Sequence, residues 1–202
     1  MTRALRLAGV ALFAVMLAAC AAPRTRPGAA TSAQLAQQAA RERELAAHTT
    51  WTLEGRLGVS RPGDSGSGSL EWSQQGPRYR FSVHAPVTGR TWTLSGDAEH
   101  ARLDGLREQP VEGDAAASLL ERELGWNVPV ERLVDWVRGA RAPGAAQITF
   151  RADGLPERIE QDGWTVEYLD YDSARDPPLP TRIFARRGDD RVRLAVRTWS
   201  PP

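Results

Sequence analysis

The sequence predicts an α+β fold in which a curved antiparallel sheet of about ten to eleven strands carries helices against one side or mouth. From Trp51 onward, apolar residues alternate with polar ones in most segments, which is the period of a half-buried strand. Turns rich in Gly, Pro and Asp separate these segments, and one helical interval between Asp114 and Gly139 interrupts them. This order of strands, helices and strands indicates one domain, residues 32–202.

Residues 1–19 precede this domain and have the pattern of an export signal. Arg3 and Arg6 give a positive start, and residues 7–17 form an almost unbroken apolar run that is too short to span a bilayer. The run ends in Leu17-Ala18-Ala19-Cys20, the pattern at which bacterial lipoproteins are cleaved and lipidated. We therefore expect Cys20 to be the first mature residue and to carry several acyl chains, which hold a protein firmly on a membrane.

Residues 20–31 are expected to be a flexible tether, since they are rich in Pro, Ala, Thr and Arg and have no apolar period. Ala21 follows the cysteine, where lipoproteins retained in the inner membrane typically have Asp. The expected location is therefore the outer membrane, facing the periplasm. Because Cys20 is the only cysteine, no internal disulfide can form.

Charge and motif content argue against several classes of function. Cleavage removes Arg3 and Arg6 and so changes the formal net charge from +1 to −1; the other arginines are scattered, which makes nucleic-acid binding unexpected. The three histidines lie in different segments without the spacing of a zinc site, and no Gly-x-Ser-x-Gly nucleophile motif is present. We expect neither catalysis, nor a cofactor, nor a bound metal.

The first predicted element of the domain is a short amphipathic helix laid against the sheet. Leu35, Ala39, Glu42 and Leu45 have near-helical spacing among strong helix formers, with Ser32 as the expected cap. Strands then follow at 51–59, 69–73, 78–83, 92–94 and 101–103, with 61–68 expected to be a turn.

Two short helices are predicted in the interval that follows. Asp114 is the expected cap of the first, which ends at Gly125, and Pro129 lies in the first turn of the second, which closes at Gly139. Strands resume at 148–150, 156–161, 164–171, 179–186 and 191–199.

A curved sheet of this kind is either filled by its own side chains or left open as a lipid-sized cavity, and periodicity does not choose between these states. The seven tryptophans suit acyl chains, but they also fit an ordinary core. Alternation along the strands and the second helix give the candidate cavity residues, which are Leu53, Leu57, Trp72, Phe81, Val83, Leu94, Leu133, Val137, Val166, Tyr168, Ile183, Leu194 and Val196.

Six short motifs, in this order, resemble the LolB family of outer-membrane lipoprotein receptors. They are Trp51-x-Leu53-x-Gly55-Arg56-Leu57, Gly68-Ser69-Leu70-x-Trp72, Leu124-Gly125-Trp126-x-Val128-Pro129-Val130, Leu133-x-x-Trp136-Val137-Arg138-Gly139, Gln161-x-Gly163-Trp164-x-Val166-x-Tyr168 and Leu179-Pro180. The match runs over nearly the whole chain, from the lipidation motif to Trp199.

The resemblance implies a half-open antiparallel barrel covered by helices, as in the LolA and LolB families, and a transfer function. Such receptors accept triacylated lipoproteins from the periplasmic carrier LolA and insert them into the phospholipid of the outer membrane; the chain is expected to be a monomer. The family also singles out a protruding loop, which corresponds here to Pro86-Val87-Thr88-Gly89, with Val87 as the exposed apolar tip.

The sequence is also compatible with two other functions. One is a lipoprotein that binds acyl lipid or glycolipid without passing it on, and the other is an envelope scaffold whose barrel is filled by side chains. Arginines on the polar phase, such as Arg56, Arg78, Arg80 and Arg90, are candidates for a rim that meets an acidic mouth on the carrier, although arginines are more often plain surface.

Overall fold

The structure, a computed structural model, describes residues 30–86 and 88–200. The predicted signal, Cys20, most of the tether and Val87 lie outside the described residues.

Eleven antiparallel strands form one sheet. They are β1 (Thr50–Arg61), β2 (Asp64–Gln75), β3 (Arg78–Ala85), β4 (Arg90–Gly96), β5 (Ala101–Asp104), β6 (Val111–Gly113), β7 (Gln147–Phe150), β8 (Pro156–Gln161), β9 (Trp164–Asp172), β10 (Leu179–Arg187) and β11 (Asp190–Ser200). Their spatial order is β6-β5-β4-β3-β2-β1-β11-β10-β9-β8-β7, so that β6 and β7 are the two edges and the barrel stays open. This confirms the predicted half-open antiparallel architecture.

Three helices accompany the sheet in the described part of the chain: α1 (Ser32–Ala47), α2 (Ala116–Leu124) and α3 (Val130–Trp136). The last two connect β6 to β7, the two edges of the sheet. None of these helices is long and apolar enough to cross a membrane.

Strand β1 shows why the sheet has one buried face. Trp51, Leu53, Gly55 and Val59 are buried, whereas Thr52 and the other residues between them in the first half are exposed. No residue larger than glycine fits at position 55, because a Cβ there would lie 2.3 Å from the carbonyl oxygen of Ala195 on β11. The alternation that predicts a strand therefore also predicts its inner face.

The predicted turn at residues 61–68 is wrong. β1 and β2 pair continuously from Thr50↔Gln75 to Arg61↔Asp64, which leaves only Pro62 and Gly63 for the turn, with Gly63 at a φ of +78°. Residues 64–67 are Asp, Ser and Gly, which are typical of loops. Their backbone nevertheless pairs with β1, so they form a strand with exposed side chains.

Two predicted helix caps are also displaced. Thr31, not Ser32, caps α1 in a capping box: its Oγ1 accepts from Gln34 N at 3.2 Å, and its own N donates to Gln34 Oε1 at 3.0 Å. Asp114 lies one residue before the N-cap of α2, which is Ala115 and has no side-chain cap. Gly125 does end α2, in the left-handed conformation.

Helix α1 docks on the body through polar contacts as well as through Leu45. Its buried residues are Gln38, Arg41 and Leu45, whereas Leu35 is exposed. Arg41 donates from Nη1 to the carbonyl of Gly139 at 2.9 Å and from Nη2 to two further carbonyls, those of Arg138 and Pro178. Burial lowers the pKa of Arg41, and the three carbonyls accept hydrogen bonds from its two terminal nitrogens, whereas its buried Nε has no partner.

Aromatic side chains fill the barrel near the start of β1. The rings of Trp51 and Trp72 are 4.8 Å apart, those of Trp51 and Trp199 are 5.5 Å apart, and those of Trp72 and Phe81 are 4.2 Å apart. This aromatic cluster closes one end of the barrel and leaves the other end, toward the Pro62-Gly63 turn, for a cavity.

Candidate functional site

A cavity of about 100 Å³ lies between the inner face of the sheet and helices α2 and α3. Its lining is apolar throughout and consists of Leu57, Val59, Leu70, Trp72, Phe81, Val83, Trp92, Leu94, Leu120, Trp126, Val128, Val130, Leu133, Trp136, Val137, Val166, Ile183, Ala185, Val192 and Leu194. Such a surface offers dispersion contact and exclusion of water, and nothing that would bind a polar group.

Strand register brings the sheet residues of the lining together. Leu57 on β1 lies opposite Leu194 on β11, and Leu194 lies opposite Ile183 on β10. On the other flank, Phe81 on β3 lies opposite Leu94 on β4. These apolar rows run across the sheet because each strand presents alternate residues to the same face.

Helix α3 covers these rows. Val130, Leu133 and Val137 follow one another at i, i+3 and i+7 and all line the cavity, together with Trp136. The end of the helix is fixed, because Trp136 Nε1 donates to Gln161 Oε1 at 2.9 Å and Tyr168 Oη donates to the Trp136 carbonyl at 2.8 Å. Burial raises the pKa of Tyr168 well above its ordinary value, so this hydroxyl stays a donor.

The segment between α2 and α3, residues 125–129, crosses the cavity and is called the strap. Two arginines hold it by its backbone: Arg61 Nη1 donates to the Gly125 carbonyl at 2.5 Å, and Arg187 Nη2 donates to the Asn127 carbonyl at 2.8 Å. The ring of Trp126 packs edge-on against Trp92, with centroids 5.7 Å apart. The strap is thus tied to the sheet from both sides of the cavity.

The cavity is small for a ligand-binding site. Ligand pockets usually measure roughly 300–1,000 Å³, several times the volume found here. A ligand larger than this volume would therefore fit only if part of the cover moved outward. Apart from the two arginine contacts and the Trp92–Trp126 pair, the backbone N–H groups of the strap donate only locally, to the carbonyls of residues 120, 121 and 126, whereas the end of α3 is anchored in the buried hydrogen-bond network of Gln161 and Tyr168. We therefore expect the strap to move more readily than the end of α3.

Most of the predicted cavity residues lie in this lining. They are Leu57, Trp72, Phe81, Val83, Leu94, Leu133, Val137, Val166, Ile183 and Leu194. Their role in holding acyl chains stays a prediction.

Leu53, Tyr168 and Val196 are predicted to line an acyl cavity but lie outside the lining of this one. Leu53 lies opposite both Trp72 and Trp199, so it packs into the aromatic cluster. Tyr168 packs beneath the end of α3, and Val196 lies near Leu53, opposite Gly55. All three point to the inner face as predicted, but alternation does not tell how far along the barrel axis a residue lies.

Several lining residues were missed although the same signals point to them. Val59, Leu70, Trp92, Ala185 and Val192 each lie two residues from a predicted lining residue on the same strand. Trp126 and Val128 had no such signal, because the strap has neither helical nor strand periodicity.

The predicted loop joins β3 to β4. Ala85 pairs with Arg90, so residues 86–89 form the connection, and Pro86, Thr88 and Gly89 are exposed. Gly89 has a φ of +65°, a conformation that favours glycine. Val87 itself lies outside the described residues.

The residues around the cavity give little support for catalysis or metal binding. Within residues 30–86 and 88–200, no group of three or more His, Cys, Asp or Glu residues is placed to hold a metal ion. The polar groups nearest the lining, Gln161 and Tyr168, are engaged in hydrogen bonds that position α3.

Known proteins are similar to this chain in sequence and in fold. The family model described as outer membrane lipoprotein LolB matches residues 49–199. An outer-membrane lipoprotein LolB of Xanthomonas campestris pv. campestris (strain 8004) is 42% identical over 98% of this chain and 96% of its own length. Another, of Xylella fastidiosa (strain 9a5c), is 39% identical over 83% of this chain and 78% of its own length.

A solved structure supports the fold. A LolA superfamily protein from Nitrosomonas europaea superposes with a TM-score of 0.52 and 12% sequence identity, covering 77% of this chain and 87% of the other. At this identity the likeness extends to the half-open barrel and no further.

Proposed function

Since this chain belongs to the LolB family of outer-membrane lipoproteins, we propose that it is a receptor that accepts triacylated lipoproteins from the periplasmic carrier LolA and inserts them into the outer membrane. The observation that carries this proposal is the wholly apolar cavity beneath α3 and the strap. A cavity without a polar anchor suits a ligand that is recognised by its apolar chains alone.

Free energy explains why a receptor is needed. At about 0.8 kcal/mol per CH₂ group, transfer of the three acyl chains of a cargo lipoprotein into water would cost tens of kcal/mol of free energy. Passage from one apolar cavity to another, and then to the bilayer, avoids this state. The receptor must therefore open toward the carrier and later toward the membrane, and the small cavity beneath the tied strap fits a stage of that cycle without cargo.

The same proposal includes the parts outside the described residues. Residues 1–19 would be removed as an export signal, Cys20 would carry the lipid anchor, and residues 20–31 would serve as a tether for the single domain 32–202. The loop 86–89 would deliver cargo through Val87 at its tip.

An acyl-binding lipoprotein without transfer activity is the alternative. The apolar cavity supports lipid binding by either a receptor or an acyl-binding lipoprotein. A scaffold whose barrel is filled by side chains would have no such cavity. What separates the two is whether cargo arrives from a carrier.

A crosslinking experiment tests both points together. Carrier loaded with a lipoprotein whose acyl chain bears a photoreactive group is mixed with the Cys20→Ala protein and irradiated. We expect crosslinks in peptides of α3, β3 and β4, including Leu133 and Phe81. Crosslinks confined to the outer face of the sheet would contradict the proposal, and crosslinks to free acyl lipid but not to cargo would support the alternative.

A further inference from the structure

The outer face of the sheet carries a group of three exposed arginines, Arg56 on β1, Arg182 on β10 and Arg193 on β11. They surround a shallow groove, called here the arginine groove. Its floor is made of small residues, which are Gly58, Ser67 and Ala195. Arg56 and Arg182 both lie opposite Ala195, one on each side, so their Cα atoms are about two strand spacings, or roughly 10 Å, apart.

These arginines are not neutralised by neighbours. Within the described residues, no carboxylate lies within 4.0 Å of their guanidinium groups, and the nearest acid in register, Asp170 opposite Arg182, forms no ion pair with it. Other arginines of the same face differ: Arg197 pairs with Glu54 at 2.8 Å, and Arg186 pairs with Glu167 at 3.8 Å. The arginine groove is therefore a local excess of positive charge on a domain that is nearly neutral overall.

Apolar side chains border this charge. Leu169 on β9 is 54% exposed, the largest value among the exposed large hydrophobic residues of the described chain, and it lines the groove. The guanidinium of Arg193 lies 5.5 Å above the ring of Phe184, the neighbouring lining residue on β10. Basic groups beside an exposed apolar side chain are typical of surfaces that bind at the boundary of an anionic bilayer.

The groove lies level with the loop 86–89. Arg56 is opposite Ser69 on β2, and Ser69 is opposite His84 on β3, two residues before the loop begins. One row across the sheet thus runs from the base of the loop to Arg182. If the domain is oriented with this loop toward the membrane, the arginine groove at the same end of the outer face also lies near the lipid headgroups.

We propose that the arginine groove binds the headgroups of anionic phospholipids and so orients the body on the membrane. The orientation rests on the proposed function, because it takes the loop and the Cys20 anchor to face the same bilayer. Twelve tether residues reach about 40 Å at full extension, so the anchor does not by itself fix which face of the domain meets the membrane. Even weak binding is sufficient, since the anchor already keeps the body close to the membrane.

Vesicle flotation of the Cys20→Ala protein tests this directly. The probes are vesicles of phosphatidylcholine alone and of phosphatidylcholine with about a third phosphatidylglycerol, at low and at high salt. We expect binding only to the anionic vesicles, and loss of it at high salt, because exposed charges are screened. Each basic residue near an anionic surface contributes about fivefold in affinity, so Arg56→Ser, Arg182→Ser and Arg193→Ser together should reduce it roughly 100-fold.

Matched controls for the single groove substitutions are Arg186→Ser and Arg197→Ser, each of which removes one positive charge from the same face but from an arginine that already pairs with a carboxylate. They should change vesicle affinity less than twofold. Equal losses for the paired and the groove arginines would overturn the proposal, since only net charge would then matter. Binding that is unchanged by all five substitutions would overturn it too.

Cargo handover from the carrier, measured on the same variants, separates this proposal from the proposed function. Vesicle binding that fails while handover proceeds overturns the arginine groove alone, and the reverse result overturns the receptor function alone. A groove variant that loses carrier binding but still binds anionic vesicles would identify the groove as a protein-docking surface and contradict its assignment to lipid.

Discussion

At the scale of single residues, Leu133 tests whether the cavity holds acyl chains. It is half-buried on α3 and lines the cavity, so Leu133→Glu would place a carboxylate among apolar groups. We expect at least a tenfold loss of affinity for a fluorescent fatty acid, since burying an unpaired charge costs several kcal/mol. Leu35→Glu is the control, because Leu35 on α1 is 37% exposed and far from the lining. Equal affinities of the two variants would show that the chain binds elsewhere.

Val87 tests the delivery step at the same scale. As the proposed tip of the loop 86–89, it would insert an apolar side chain among lipid headgroups. Val87→Glu should leave folding and uptake of cargo from the carrier intact but reduce insertion into vesicles, while Val87→Leu should improve membrane contact by up to about fourfold, the value of one CH₂ group. Cargo insertion into vesicles is the measurement. Loss of folding in the glutamate variant would mean instead that Val87 is part of the core.

At the scale of elements, the strap is the expected gate. Arg61→Ala removes a charged hydrogen bond to the Gly125 carbonyl, and adding Arg187→Ala removes the one to Asn127. Such bonds contribute about 1.5–3 kcal/mol each, so the strap should open more often, and a fluorescent fatty acid should enter at least about tenfold faster in stopped flow for each bond removed. Arg102→Ala, a change in an exposed, ion-paired arginine on β5, should leave the rate unchanged. Entry that is no faster in the double variant would place the gate elsewhere.

Helix α1 gives a pH dependence to stability. Burial alone would raise the pKa of Glu42, but its hydrogen bonds from Arg141 and Gln38 outweigh burial and lower the pKa below the ordinary value. A carboxylate whose pKa is lower in the folded than in the unfolded state stabilises the fold above the unfolded pKa, near 4.5, and this contribution is lost as the pH falls through the folded pKa.

Urea unfolding of Glu42→Gln and of the parent protein measures this contribution. We expect the parent to be more stable at pH 7 and the difference to shrink below about pH 4.5. A difference that stays constant between pH 7 and pH 3 would show that the ion pair with Arg141 does not stabilise the docked helix.

The sequence predicts some elements better than others, for a physical reason. Strands in which apolar residues repeat with a period of two along most of the length, such as β9, have bounds within one or two residues of the prediction, whereas the Ser- and Gly-rich start of β2 lacks this period and was predicted as a turn. Strand β6 has only three residues, too few for a period, and it was missed. The buried side of α1 could not be found either, because Gln38 and Arg41 are polar and their partners are carbonyls about a hundred residues away.

At the scale of the whole molecule, the open sheet fits the proposed function, which requires one fold both to take up and to release apolar chains. A closed barrel of the same strands would have no edge between β6 and β7 for helices to span. Here α2, the strap and α3 span that gap and form a cover over an apolar interior. Alternation predicted the apolar inner face, but neither the volume of the cavity nor the strap could be predicted, because both depend on how distant segments pack.

The most direct test of the proposed function is a transfer assay. The Cys20→Ala protein is mixed with LolA-type carrier that holds a radiolabelled lipoprotein, and the two proteins are then separated and counted. We predict that the label leaves the carrier for this protein, and that Leu133→Glu slows the transfer whereas Leu35→Glu does not. Label that stays on a carrier shown to be competent with another receptor would contradict the proposed function.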